Sequence, residues 1–207
     1  MSGNTKTKST TSARTLTSTA MLSAVAFILM YFEVAIPLMP SFIKFDFSDL
    51  PALIGAFALG PVYGVIICLI KNILHLTVSQ SMFVGELSNF ILGAIFVFTA
   101  GLIYQNHKTK KRAVIGAVVG AVIMGIVSVF SNYFVVYPVY YNFMAKEVIV
   151  AAYDAISYEL LHIGHVTGIL QCLLVFNVPF TIIKGLIDAV ICMLIYKPLS
   201  PLLKGRM

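Results

Sequence analysis

The stretch AVIGAVVGAVIMGIVSVFSNYFVV, residues 113–136, decides the fold. It carries no charged side chain and is longer than the roughly 20 apolar residues with which an α-helix crosses a hydrocarbon core of about 30 Å. Gly116, Gly120 and Gly125 recur in it at four- and five-residue spacing, which lets a neighbouring helix come close. An aqueous segment with Lys108, Lys110, Lys111 and Arg112 precedes it. Beyond it lie Tyr137, Tyr140 and Tyr141, then a mixed region to about residue 165 that holds Lys146, Glu147, Asp154 and Glu159 among apolar residues. There we expect a surface helix over the outer mouth of a bundle.

The rest of the chain has the same character. Of its 207 residues 59% are hydrophobic and only 11% charged, with a mean hydropathy of +0.96, whereas a soluble domain is nearer half apolar and about a quarter charged. Six short spans fill this length, leaving no room for a separate ATPase or other soluble domain. Apolar runs predict spans at about 16–38, stopped by Pro37 and Pro40; 49–59, started by Asp49 and Pro51; 62–76, split from the previous run by Gly60 and Pro61; 83–104; 113–136; and a last one inside 166–196, where Pro179 starts or kinks a helix. The expected fold is all-α: a polytopic six-transmembrane-helix bundle with an outward-facing pocket. It divides into an N-terminal tail 1–15, a membrane domain 16–200 and a C-terminal tail 201–207. The run from Leu16 is too long for a signal-peptide core and lacks a small-residue cleavage site, so it reads as a retained helix.

Charge orients the bundle. Lys6, Lys8 and Arg14, the 108–112 cluster, and Lys197, Lys204 and Arg206 all fall on one side of a six-span arrangement, which the excess of Lys and Arg marks as cytoplasmic. Every acidic residue lies within the membrane, in its outer half or outside. The net charge of +6 therefore reads as orientation in a cell membrane and not as a nucleic-acid surface. Cys68, Cys172 and Cys192 have no metal or redox spacing.

No phosphate-cradling Gly-rich loop, paired metal-ligating His on a helix or nucleophile elbow is present. His162 and His165, beside Glu159, read as interfacial polar residues. Ionisable groups inside spans say more, because each costs about 2.5 to 3.5 kcal/mol at a helix centre and so faces the interior. Glu86 and Asn89 share a helix face; Asn132 and Tyr133 lie at the outer end of the fifth span; Lys184 precedes Asp188 by one turn. Together they point to a pocket near the outer face. Each has a structural alternative: Asn can join helices, and Lys184 with Asp188 can fix helix register. Lys71, Asn72 and His75 sit where a lysine snorkels to water. Ala20 and Ala24, with Thr17, form a smooth stripe that packs internally or meets a partner.

The run Lys44-Phe45-Asp46-Phe47-Ser48-Asp49-Leu50-Pro51-Ala52-Leu53-Ile54-Gly55, followed by Leu59-Gly60-Pro61-Val62-Tyr63-Gly64 and Lys71-Asn72, resembles the substrate-binding S components of energy-coupling factor vitamin transporters. It is most similar to the riboflavin-specific members. Gly85-Glu86-Leu87-Ser88-Asn89-Phe90, Asn132-Tyr133, Pro179-Phe180 and Ile183-Lys184-Gly185 extend the resemblance over nearly the whole chain.

The resemblance implies a binding subunit, with no cofactor, that captures riboflavin outside and passes it inward once joined to a transmembrane coupling subunit and two ATPase subunits. It implies that Asn132 and Lys184 bind the ring; we expect them to read its pyrimidine-like edge, with Glu86 and Asn89 nearer the ribityl hydroxyls and Tyr133 also on the ligand. It also places the coupling-subunit contact at Ala20 and Ala24. The chain lacks tryptophan, so Phe or Tyr must stack on the ring. Period-two alternation then has Phe45 and Phe47 covering the ligand, with Lys44 and Asp46 turned towards water or its polar tail. The alternatives are an S component for another vitamin, or a stand-alone small transporter or membrane enzyme.

In a Cys-free background, a single Cys at position 110 should react with a membrane-impermeant thiol reagent only after the cells are opened. Labelling of position 110 from outside intact cells would contradict the orientation.

Overall fold

The computed structural model describes residues 13–79 and 83–204, with side chains to residue 196. Most of the expected N-terminal tail, with Lys6 and Lys8, lies outside the described residues, as does Arg206 at the other end.

Helix α1, Ala13–Tyr31, buries Thr19, Ser23, Ala26 and Met30, a stripe at helical spacing that packs on α2 and α3. Its hydroxyls are satisfied within the helix: Thr19 donates to the Thr15 carbonyl and Ser23 to the Thr19 carbonyl, both at 2.8 Å. Ala20 and Ala24 lie off this stripe and are exposed. The helix stops at Tyr31, a turn or more before the expected end. From there the chain forms a two-stranded antiparallel ribbon, β1 Val34–Ala35 with β2 Lys44–Phe45, in the register Val34 to Phe45. Pro37 bars helix at the residue before it, and Glu33 forms an ion pair with Lys44 across the ribbon instead of facing lipid.

Helix α2, Asp49–Ala58, is buried from Asp49 to Phe57. Its 10 residues rise about 15 Å, half a hydrocarbon core. It needs no lipid-facing length because α1, α3, α4 and α9 surround it. Gly60, at φ 121°, makes the turn into α3, Pro61–His75. By length and composition five helical runs can cross a membrane: α1, 61–78, α4 (Val84–Asn106), Lys110–Tyr140 and Ile169–Tyr196, with α2 as the short sixth member of the bundle.

The fourth of these runs joins α5, Lys110–Ser131, through a π-turn, Asn132–Val136, to α6, Tyr137–Tyr140. Thr109 caps its start, accepting from the Arg112 N–H. The last run repeats the device: α8, Ile169–Cys172, a π-turn, Leu173–Asn177, then α9, Val178–Lys204. Each of these two π-turns ends two residues before a proline, Pro138 or Pro179. The wider turn shifts the hydrogen-bond register just where a missing N–H would break an α-helical ladder. Between them α7, Lys146–Ala155, is the surface helix expected from the sequence. Its Ile149 and Tyr153 join Met39, Tyr137, Leu173 and Phe176 in an outer apolar cluster separate from the main core.

The α5 glycines set the helix spacing. A Cβ on Gly116 would lie 2.7 Å from the Ala100 carbonyl oxygen, and one on Gly120 would lie 2.8 Å from that of Phe96. Backbone cannot retreat from such contact without parting α4 from α5. Gly120→Leu should therefore destabilise the bundle by about 1 to 3 kcal/mol or more, read as a lowered melting temperature in detergent, whereas Gly168→Ala, with open space at its Cβ, should melt like the wild type.

Candidate functional site

At the outer end the ribbon segment, α3, α4, the π-turn after α5 and the start of α9 enclose a cavity of about 480 Å³. Its floor is an ion-pair network. Lys184 Nζ lies 2.9 Å from Asp46 Oδ2 and 3.3 Å from Asp49 Oδ2. Lys71 Nζ lies 2.6 Å from Asp49 Oδ1 and also donates to Ser48 Oγ. Asp46 accepts in addition from the Ser48 backbone N–H at 2.8 Å. All five side chains are buried, and in such a place only mutual pairing makes charge tolerable.

Burial alone would raise the Asp46 carboxyl, but Lys184 and Lys71 outweigh it and hold the group well below the usual carboxylate range. A depressed folded-state value means that this pairing stabilises the protein above the ordinary carboxylate pKa and is lost only as pH falls well below it. On the opposite wall His75 Nδ1 meets Glu86 Oε1 at 2.9 Å.

Asn132, Lys184, Glu86, Asn89, Lys44 and Asp46 all line the cavity. Phe45, Phe47 and Tyr133 do not. The alternation along β2 is the reverse of that expected: the pull of buried Lys184 turns Asp46 inward, and period two then sends Phe45 and Phe47 to the other face. There they pack edge-on with centroids 4.9 Å apart, Phe45 also resting 6.3 Å from Phe180. Tyr133 is exposed. Aromatic lining comes instead from Phe42, Tyr137, Tyr140, Phe143 and Phe180.

Two other expectations are corrected. Lys71 does not snorkel: it is fully buried, because Asp49 offers a closer counter-ion than water does. Lys184 does not pair with Asp188, since it donates to Asp46 and has Asp49 as its second counter-ion; Asp188 is fully buried and neither of its carboxyl oxygens has a hydrogen-bond partner among the described residues. His162 and His165 stay apart in function, the first bonded to the Tyr158 carbonyl and the second to Asp154 at 2.9 Å. Among the described residues no group of three or more His, Cys, Asp or Glu gathers to hold a metal.

Reading the sequence found Asn132 but missed Asn177 and the π-turns that present both. One turn begins with Asn132 and the other ends with Asn177, which puts the amides of two different helices on the cavity wall. The available signal was a proline two residues beyond the turn in each run. Asp49, expected to start the second span, does begin α2, and its carboxylate serves two lysines.

The model of the family "ECF transporter, substrate-specific component" matches residues 14–196. The chain is 34% identical over 190 residues to riboflavin transporter RibU of Staphylococcus aureus, covering 91% of this chain and 92% of that one. It is 31% identical over 185 residues to riboflavin transporter FmnP of Bacillus subtilis, covering 88% and 90%. A solved S component of a bacterial ECF transporter matches with a TM-score of 0.71 at 34% identity, over 92% of this chain and 98% of that one. The chain belongs to the substrate-specific S components of ECF transporters and is thus a bacterial membrane transport subunit, not an enzyme.

Proposed function

We propose that the protein captures riboflavin from outside the cell and delivers it inward as part of an ECF importer. The observation that carries this reading is a cavity whose charges are paired with one another while neutral amides face its interior. Such a site suits an uncharged ligand with many hydrogen-bonding groups and a large apolar ring. Riboflavin has both, in its ribityl hydroxyls and its fused flavin. Similarity to riboflavin transporters supports the same choice.

The Asn132 amide offers the pyrimidine-like edge of the ring both a donor and an acceptor. An ammonium has three protons; Lys184 donates one to Asp46 and forms an ion pair with Asp49, which leaves a proton for a ring carbonyl or nitrogen. Glu86 and Asn89, on the α4 wall, stand where the ribityl chain would lie. Phe42, Tyr140 and Phe180 give the ring its apolar contacts, with Phe45 and Phe47 behind that layer. Lys44 and Asp46 fasten the ribbon segment over the site.

In this reading the basic clusters and both termini face the cytoplasm, and the exposed Ala20 and Ala24 receive the transmembrane coupling subunit, with two ATPase subunits beyond it. Small side chains let two backbones approach in lipid, where no hydrophobic drive acts between helices.

Purified protein should carry a flavin absorption band, and the extracted ligand should have the mass of riboflavin. Protein that is colourless and binds no added riboflavin would contradict the proposal. Asn132→Ala should weaken binding roughly tenfold or more, the cost of one lost partner in a buried polar contact. Lys184→Ala should cost more, because it also strands Asp46. Ala20→Trp or Ala24→Trp should abolish uptake by cells while sparing riboflavin binding in detergent, and equal loss of both would assign the stripe to internal packing.

A further inference from the structure

Three side chains at the outer end form a hydrogen-bond chain separate from the ion pairs. Tyr137 Oη and Tyr153 Oη are 2.5 Å apart, and Tyr153 Oη lies 2.6 Å from Asn177 Oδ1. Tyr137 and Asn177 line the cavity. Tyr153 belongs to α7, is fully buried and does not line it.

Distance orients the amide. A separation of 2.6 Å fits an O–H···O bond and is short for N–H···O, so the oxygen of Asn177 faces Tyr153. Proton counting then fixes the whole chain. Each phenol has a single proton. That of Tyr153 goes to Asn177, so that of Tyr137 must go to the Tyr153 oxygen, and neither is left for a ligand. The amide also bonds with the Tyr137 hydroxyl, so of the two N–H bonds on Asn177 Nδ2 one goes to that oxygen and the other is left to face a ligand.

The geometry points to Asn177 as a dedicated donor to an acceptor atom of the bound ring, and to Tyr153 as the positioning residue that fixes its amide orientation from outside the cavity. This deepens the riboflavin reading and rests on it. The ligand selected is one with a carbonyl or pyridine-type nitrogen facing α9.

Tyr153 is suited to the task. Its ring is wedged against Phe176 at 5.3 Å and Phe42 at 6.2 Å, so the hydroxyl has little room to swing. Burial, reinforced by Tyr137, holds the phenol well above its usual range, so the donated proton stays in place in alkaline solution as well as at neutral pH. The π-turn that ends on Asn177 supplies the matching rigidity from the other side. Helix α7 thereby shapes specificity without touching the ligand.

The test is a double-mutant cycle on riboflavin affinity, followed by quenching of flavin fluorescence, with Tyr153→Phe, Asn177→Leu and the double variant. Each single change should weaken binding on the order of tenfold, the loss expected for one buried hydrogen bond. The double variant should bind no more weakly than Asn177→Leu, because Tyr153 acts through Asn177. Asn177→Asp, which still accepts from Tyr153 but has no N–H to give, should lose as much as Asn177→Leu. The visible band of the bound flavin should shift alike in Tyr153→Phe and Asn177→Leu, a change that loss of packing would not produce.

Additive losses in the cycle that follow a fall in ligand-free melting temperature would overturn the positioning role. Wild-type affinity in Asn177→Asp would overturn the donor role. Failure of the riboflavin reading itself looks different, since the wild-type protein would then bind no riboflavin.

Discussion

Two lysines and two aspartates pair at the floor of the cavity, and the rest of the outer half is arranged around that pairing. Lys184 comes from α9, Lys71 from α3, Asp49 from the start of α2 and Asp46 from the ribbon segment. One network thus ties four parts of the chain at a level where water is scarce and an unpaired charge would cost several kcal/mol. Even the neighbouring helix makes room for it. A Cβ on Gly93 of α4 would lie 2.5 Å from Asp49 Oδ1, so glycine there is what admits the carboxylate. The short, fully buried α2 follows from the same arrangement, since its task is to carry Asp49 into the centre and not to face lipid.

Because these charges largely satisfy one another, the proposed recognition rests mainly on neutral groups, beside the proton that Lys184 has left to give. The amides of Asn132 and Asn177 reach the cavity from irregular turns of otherwise continuous helices, and both turns stand ahead of prolines. Irregular backbone is tolerated at membrane depth where it borders a cavity or packs against protein. The polar site and the helix distortion therefore share one location for one reason. The outer cluster formed by α7, the ribbon segment and the α8 region closes the site from above and links its aromatic wall to the surface helix.

The bundle was legible because a span must be long and apolar enough to cross the membrane: apolar length gave the spans, and the α5 glycines marked a face that a neighbouring helix approaches closely. Of the site, Asn132, Lys184, Glu86 and Asn89 could be found because polar groups in spans are costly and so must be used. The partners of the lysines could not. Lys184 has Asp188 one turn away in sequence, yet takes Asp46 from far along the chain, a choice made by three-dimensional packing that helix spacing cannot reveal. The same choice inverted the alternation along β2 and moved Phe45 and Phe47 off the cavity. Asn177 and Tyr153 escaped notice because neither an Asn beside a proline nor a Tyr on a surface helix looks unusual until the fold brings them together.

The central claim is that the buried pair of Asp46 with Lys184 holds the ribbon segment over the cavity, and hydrogen exchange of the ligand-free protein tests it most directly. In the wild type the amides of residues 41–48, that of Ser48 above all because it donates to Asp46, should exchange slowly. In Asp46→Ala they should exchange much faster while α4 and α5 keep their protection. Equal protection of residues 41–48 in the two proteins would show that the segment stays in place without the ion pair, and the account would be contradicted.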